Sequence, residues 1–325
     1  MKTIKIYFSG FWKSFDYNDN MFMYILKKRY NVVLDSVDPD FLICSPLGTP
    51  FEYMKYDCPR IMYTGEYLNA DFNAIDYFIG YDYIDFGDRS FRFPLHLWSD
   101  NGKYAPSEPL THDTARRELQ EKKFFCNYVF GHDTAIGKRE EILKYMSQYK
   151  RVECAGKQFN NMPNGKIYTI RTKKDLMKKC KFSISAESVC YPGFTSEKLG
   201  DAFRCHTIPV YYGDPLVHTE FNEKAFINCY NYPSVEKAVE KVIELDNDDD
   251  MYIEMLCQYR YNVADYEQIM FKKLEEYLYH IFDQDKDEAY RRPRFYRAGW
   301  HEAYLKEYNK RMQTIPLRIL KKFGI

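Results

Sequence analysis

The sequence predicts an α/β protein of two Rossmann-like domains facing across a cleft. Three observations carry this. Short apolar runs alternate with segments of helical spacing, the mark of an α/β architecture. The alternation comes in two successive series, separated by a polar stretch over 100–121 that loses the strand pattern. A chain of 325 residues is also too long for one ordinary core and suits two domains of roughly 120–150 residues each.

In the first series, residues 4–9 read as a strand, 20–29 as a helix and 31–34 as the next strand. A third strand over 41–44 runs into the turn Pro46-Leu47-Gly48, and a fourth over 59–66 ends in Gly65 and Glu66. Residues 74–79 make a fifth. In the second series, 123–130, 152–154, 182–186 and 208–212 read as strands. Helices are expected over 137–149, 172–180, 197–204, 234–244 and 249–263. A long closing helix follows over 266–282, where Ile269, Leu274, Tyr277, Leu278 and Ile281 recur at helical spacing. The expected division is 1–115, 116–265, and a closing helix with a basic tail over 266–325.

Composition narrows the classes. Lys and Arg together equal Asp and Glu, a formal charge of zero, which argues against a general nucleic-acid binder. Nine cysteines form no Cys-x-x-Cys pair and no zinc-spaced cluster, so they read as reduced thiols of a cytoplasmic protein. Residues 1–8 read as a first strand rather than a signal peptide. No apolar stretch approaches the ~20 residues that span a bilayer.

The segment from Lys181 to Pro215 carries the chemistry. A buried strand ends in Glu187, and a loop with Pro192 and Gly193 leads into a helix from Ser196. Strand, glycine loop and helix N-terminus make a generic anion site, because free backbone N–H groups and the helix dipole face the loop. Lys198 lies in the first helical turn, where the dipole favours no cation, so a bound phosphate is its most useful partner. Glu197 suits the helix N-terminus and equally a pair of ribose hydroxyls. The plainer reading is a capped helix, Ser196 as N-cap with surface charges behind it.

Glu187-Ser188, then Gly193-Phe-Thr-Ser-Glu-Lys-Leu-Gly-Asp-Ala-Phe203 and His206-Thr-Ile-Pro-Val-Tyr-Tyr-Gly-Asp-Pro215, resemble the signature of glycosyltransferase family 10, the α-1,3/α-1,4-fucosyltransferases. Tyr63-Thr-Gly-Glu66, the run from Asp71 to Asp82, and Phe91-Arg-Phe-Pro-Leu95 resemble the family's bacterial N-terminal domain. Arg139, ten residues before Tyr149, matches a family arginine. The likeness covers roughly 1–230. It implies a fold of GT-B type and transfer of L-fucose from GDP-fucose to an acceptor glycan, with inversion at the anomeric carbon. Three positions depart from the pattern. Phe194 stands for a tyrosine, Ser188 for an asparagine and Ser196 for a threonine, which bears on donor selectivity.

The expected mechanism follows from charge. Arg139 and Lys198 neutralise the departing pyrophosphate, arginine by bidentate contact and lysine as a point charge. No metal is required; the Asp-x-Asp matches at Asp38 and Asp40, and within 246–250, read as turn and helix-end charges. Glu66, ending a strand of the opposite domain, is the expected general base. Glu187 is a second candidate, or a partner of the sugar. Gly193, Ser188, Phe194 and Ser196 line the donor loop. His96, His132 and His206 are isolated in sequence and read as structural.

The C-terminal run over 290–322 is basic and aromatic, with Ile315, Leu317, Ile319, Leu320 and Phe323 interleaved with Arg318, Lys321 and Lys322. It reads either as a peripheral contact with an anionic membrane, suited to a lipid-linked acceptor, or as a terminal helix packed on the body. Pro316 shortens any continuous helix. Two other functions fit less of the pattern: transfer of another GDP-linked sugar, and non-catalytic binding of saccharide or nucleic acid.

Overall fold

The structure, a computed structural model, describes residues 1–104, 108–131, 138–169 and 172–314, with Ile319. The chain forms two compact units, Met1–Tyr104 together with the chain from Glu267 on, and Ala105–Tyr266.

The first unit holds strands β1 (Thr3–Ser9), β2 (Asn31–Leu34), β3 (Phe41–Cys44), β4 (Arg60–Tyr63), β5 (Tyr77–Gly80) and β6 (Ser90–Arg92), with helix α1 (Met21–Leu26) after β1. All pairings are parallel, in the order β2-β1-β3-β4-β5-β6. The central strands β3 and β4 are apolar but for Arg60, because both faces are covered. Every residue of β3 and β4 is buried, Arg60 included.

The second unit opens with helix α2 (His112–Glu121) and strand β7 (Phe124–Tyr128), then α3 (Lys138–Tyr149) and β8 (Val152–Cys154). Next come α4 (Lys173–Met177), β9 (Cys180–Ala186), α5 (Glu197–Arg204) and β10 (Ile208–Tyr212). Strand β11 (Ile227–Asn228) and helices α6 (Val235–Asn247) and α7 (Asp249–Leu256) complete it. The sheet is parallel, in the order β11-β10-β9-β7-β8. Its core joins Phe182 and Ile184 of β9 to Ile142 of α3, Val210 of β10 and Val242 of α6.

Counted from its own first strand, each sheet begins 2-1-3-4-5, a doubly wound order. The order reverses between β1 and β3 in one unit and between β7 and β9 in the other. There the loops leaving the strand C-termini diverge, and the crevice between them is where such sheets receive ligands.

Two boundaries differ from the sequence reading. The first unit ends at Tyr104, not 115, because the polar stretch folds into α2. That helix packs with the second unit, His112 reaching Glu254 and Arg116 reaching Asp250 of α7. The C-terminal segment is no separate tail. Helices α8 (Tyr266–Asp283) and α9 (Arg297–Thr314) belong to the first unit. Phe282 of α8 lies 4.6 Å from the Phe41 ring. Glu302 of α9 pairs with buried Arg60 at 2.8 Å, and Arg292, also fully buried, pairs with Asp76. Of the tail residues read as a membrane contact, Ile315, Pro316, Leu317, Arg318, Leu320, Lys321, Lys322 and Phe323 lie outside the described residues, as does His132. Among the described residues, no helix is long and apolar enough to cross a membrane.

Candidate active site

The site forms at the switch point of the second sheet. Strand β9 ends at Ala186, so Glu187 emerges at the C-terminal edge beside the loop that leads to α5. Gly193 turns that loop at φ +86°, a left-handed conformation that costs other residues roughly 1–2 kcal/mol. Its N–H donates to Asp214 Oδ1 at 2.8 Å, and the Thr195 hydroxyl lies 3.2 Å from Asp214 Oδ2. Asp214, buried just past β10, therefore ties the loop to the neighbouring strand. Phe194 is buried between these contacts, and Ser188 is half-buried.

Ser196 caps α5 and joins a compact ionic cluster. Its N–H and its hydroxyl each lie 2.8 Å from Glu187 Oε1, and the hydroxyl is equally close to Oε2. Lys198 Nζ donates to Glu187 Oε2 at 2.9 Å and to Ser196 Oγ at 2.8 Å. Glu187 is thus a buried carboxylate whose acceptor positions are taken up by the helix N-terminus. Gly213 allows it to sit there, since a Cβ at Gly213 would stand 2.4 Å from Glu187 Cγ. Lys198 has three N–H donors, and one of them has no partner among the described residues.

Arg139 approaches from α3, the helix after β7, on the other side of the switch point. It is 5% exposed, its Nε donates to the Ala186 carbonyl at 3.0 Å, and its guanidinium lies 4.1 Å from the Phe130 ring centroid. These two contacts fix its plane. Burial lowers its pKa from the ordinary value, opposed by the charge of Glu187, and the group stays a cation. Its two terminal nitrogens hydrogen-bond nothing among the described residues.

Glu197, in the first turn of α5, accepts from Lys173 Nζ of α4 at 3.1 Å. Burial alone would raise its carboxyl pKa, but the charges of Lys198 and Lys173 outweigh that and hold it at about 2. The structure thus brings together Arg139, Glu187, Ser188, Gly193, Phe194, Ser196, Glu197 and Lys198. It adds Lys173 and Asp214, which sequence reasoning left out. Asp214 sits inside the quoted Gly213-Asp-Pro215 motif, a signal that was readable; Lys173 sits in a run of lysines and carries none.

Glu66 belongs to the first unit. It follows β4 in a turn where its N–H donates to Thr64 Oγ1 at 3.0 Å, and its side chain is exposed. Its carboxylate pairs with nothing among the described residues. The Asp-x-Asp carboxylates are differently employed: Asp40 accepts from the Lys5 N–H, Asp246 pairs with Lys150 and Lys181, and Asp248 caps α7. Of the isolated histidines, His96 is buried and His206 pairs with Glu118. All nine cysteines are free thiols.

Two family models match this chain. The alpha-(1,3)-fucosyltransferase FucT N-terminal domain matches residues 6–98, and the C-terminal part of glycosyltransferase family 10 matches residues 119–276. The chain belongs to glycosyltransferase family 10. Among family relatives, the alpha-(1,3)-fucosyltransferase FucT of Helicobacter pylori is 26% identical over 307 residues, which is 83% of this chain. The chain spans 63% of that relative's length, less than two thirds. Two crystal structures of an alpha1,3-fucosyltransferase, one with GDP and one with GDP-fucose, superpose with TM-scores of 0.70 and 0.68. Each is 23% identical and covers 87% of this chain and 91% of the other. At that identity the likeness is one of fold, and the fold is of GT-B type, two parallel-sheet α/β units in one chain.

Proposed function

We propose that this chain transfers L-fucose from GDP-fucose to a hydroxyl of an acceptor glycan, with inversion, as an α-1,3-fucosyltransferase. The observation that carries the reading is Arg139. Its guanidinium is aimed by Phe130 and Ala186, with both terminal nitrogens lacking a hydrogen-bond partner among the described residues, at the switch point beside the α5 N-terminus. A pyrophosphate is the ligand that such a cation and helix end together favour. Family membership and the fold neighbour holding GDP-fucose support fucose as the sugar.

In the proposed reaction, an acceptor oxygen attacks the anomeric carbon as the bond to the β-phosphate breaks. Glu66 takes the acceptor proton, and GDP departs with its new charge met by Arg139 and the third N–H of Lys198. Glu187 positions Lys198 and the helix end. Glu197 holds the ribose hydroxyls. Because these cations supply the charge, EDTA is expected to leave turnover essentially intact. The acceptor we assign is N-acetylglucosamine within a surface polysaccharide or lipopolysaccharide. The basic C-terminal run is assigned to the cytoplasmic membrane face, which vesicle sedimentation with anionic against zwitterionic lipid tests.

The deciding experiment measures GDP release from GDP-fucose and from GDP-mannose, with N-acetyllactosamine, lacto-N-biose and lipid-linked glycans as acceptors. Turnover of GDP-fucose with one of them, lost in Arg139→Ala, is expected. Absence of both GDP binding and GDP-fucose turnover would sink the reading, and faster turnover of GDP-mannose would replace fucose.

A further inference from the structure

We infer that Lys173 is a positioning residue for the donor nucleotide, acting through Glu197. The inference rests on the assignment of Glu197 to the ribose. Lys173 belongs to the short helix before β9, outside the strand–loop–helix segment, yet it is only 9% exposed. Its ammonium lies 3.1 Å from Glu197 Oε1 and 3.0 Å from Asp201 Oδ2, two carboxylates one turn apart on the same face of α5.

The two carboxylates differ in what else they hold. Asp201 has further cations, Lys174 at 2.9 Å and Arg204 at 3.6 Å. Lys173 is the side chain that hydrogen-bonds Glu197 among the described residues, through Oε1, and the backbone N–H of Glu197 adds to the hold on its charge. Oε1 is therefore anchored. A carboxylate so held presents one rotamer to a hydroxyl pair, which spares the ordering cost that a free glutamate side chain incurs on binding.

Charge points the same way. Lys198 and Lys173 together balance Glu197, and of the two Lys198 is shared with Glu187. Without Lys173, Glu187 and Glu197 would share the single charge of Lys198, leaving less of it for the pyrophosphate. Burying an ammonium here costs desolvation, and the neighbouring carboxylates outweigh that, keeping Lys173 charged. A lysine serving only to join α4 to α5 could make do with Asp201 alone. Here it reaches past Asp201 to the first turn, where the ligand is expected.

The test compares wild type, Lys173→Met, Lys173→Arg and Glu197→Gln in the full chain. GDP is titrated against its 2′,3′-dideoxyribose analogue, and steady-state constants are measured with GDP-fucose. Lys173→Met is expected to weaken GDP about tenfold, a loss of about 1.4 kcal/mol. It should raise KM for GDP-fucose with little change in kcat, and bring the GDP to dideoxy-GDP affinity ratio close to that of Glu197→Gln. Lys173→Arg is expected to restore most of the ratio. A folded Lys173→Met protein with wild-type affinity and ratio overturns the inference. Should Lys173→Met fail to fold, the double variant Lys173→Met/Asp201→Asn removes the stranded partner and carries the same measurements. Failure of the underlying reading looks different: Glu197→Gln then leaves the ratio unchanged, or wild type binds no GDP.

Discussion

Carboxylates in each unit are held by cations to different degrees, and this sets what single substitutions do. Glu66 is exposed and unpaired among the described residues. Glu66→Gln should therefore leave stability and GDP affinity unchanged while lowering kcat roughly 10²–10⁴-fold, as loss of a general base does. Stopped assays of GDP release against calorimetric GDP titration separate the two. Glu187 is the opposite case, buried and multiply hydrogen-bonded. Glu187→Ala strands Lys198 and the Ser196 N–H, an expected cost of about 3 kcal/mol that a thermal melt would read. Glu197 and Glu302 are both held at about 2; burial pushes each carboxyl up, and Lys198 with Lys173, or Arg60, outweighs it. A carboxyl held below its unfolded value of about 4.3 stabilises the fold above that pH and loses its contribution as pH falls towards the folded value. Urea midpoints should therefore be flat in these contributions from pH 7 to 5 and drop from about pH 4.5 down to 2, less so in Glu302→Gln.

At the scale of elements, fit between strand and loop decides the site. Gly213 lies against Glu187, so Gly213→Ala must push the carboxylate away. Overpacking of this kind costs typically 1–3 kcal/mol, and GDP affinity should fall with it, measurable by melt and titration. The strands over 31–34, 41–44, 152–154 and 208–212, and helix α5, were legible to the residue. The runs over 41–44 and 208–212 are apolar, those over 31–34 and 152–154 carry β-branched valines, and α5 is amphipathic. Helix α2 was not, because it buries only Ala115 and so shows no apolar stripe. Strand β11 has two residues, too few for any period. In the site, the loop glycine, the cap and the Glu197-Lys198 pair could be read from local order. The Lys173 to Glu197 and Gly193 to Asp214 ties could not, since they join residues 24 and 21 apart whose meeting depends on β9 lying beside α4 and β10.

At the scale of the molecule, the units differ in how the chain supplies them. The second unit is one continuous stretch with its own sheet and core, so residues 105–266 expressed alone should fold and unfold cooperatively by circular dichroism. Residues 1–104 alone should not. They lack Phe282 against Phe41, Glu302 for buried Arg60 and Arg292 for buried Asp76, and an unpaired buried charge costs several kcal/mol. That interruption orders biosynthesis. Strands β1 to β6 leave the ribosome before the second unit but must wait for α8 and α9, made after it, so the unit begun earlier is finished later. Nascent chains arrested just after residue 266 should show a protease-resistant second unit joined to a sensitive N-terminal one. For that interval the first sheet lacks the partners of Arg60 and Asp76, while the second unit is already complete.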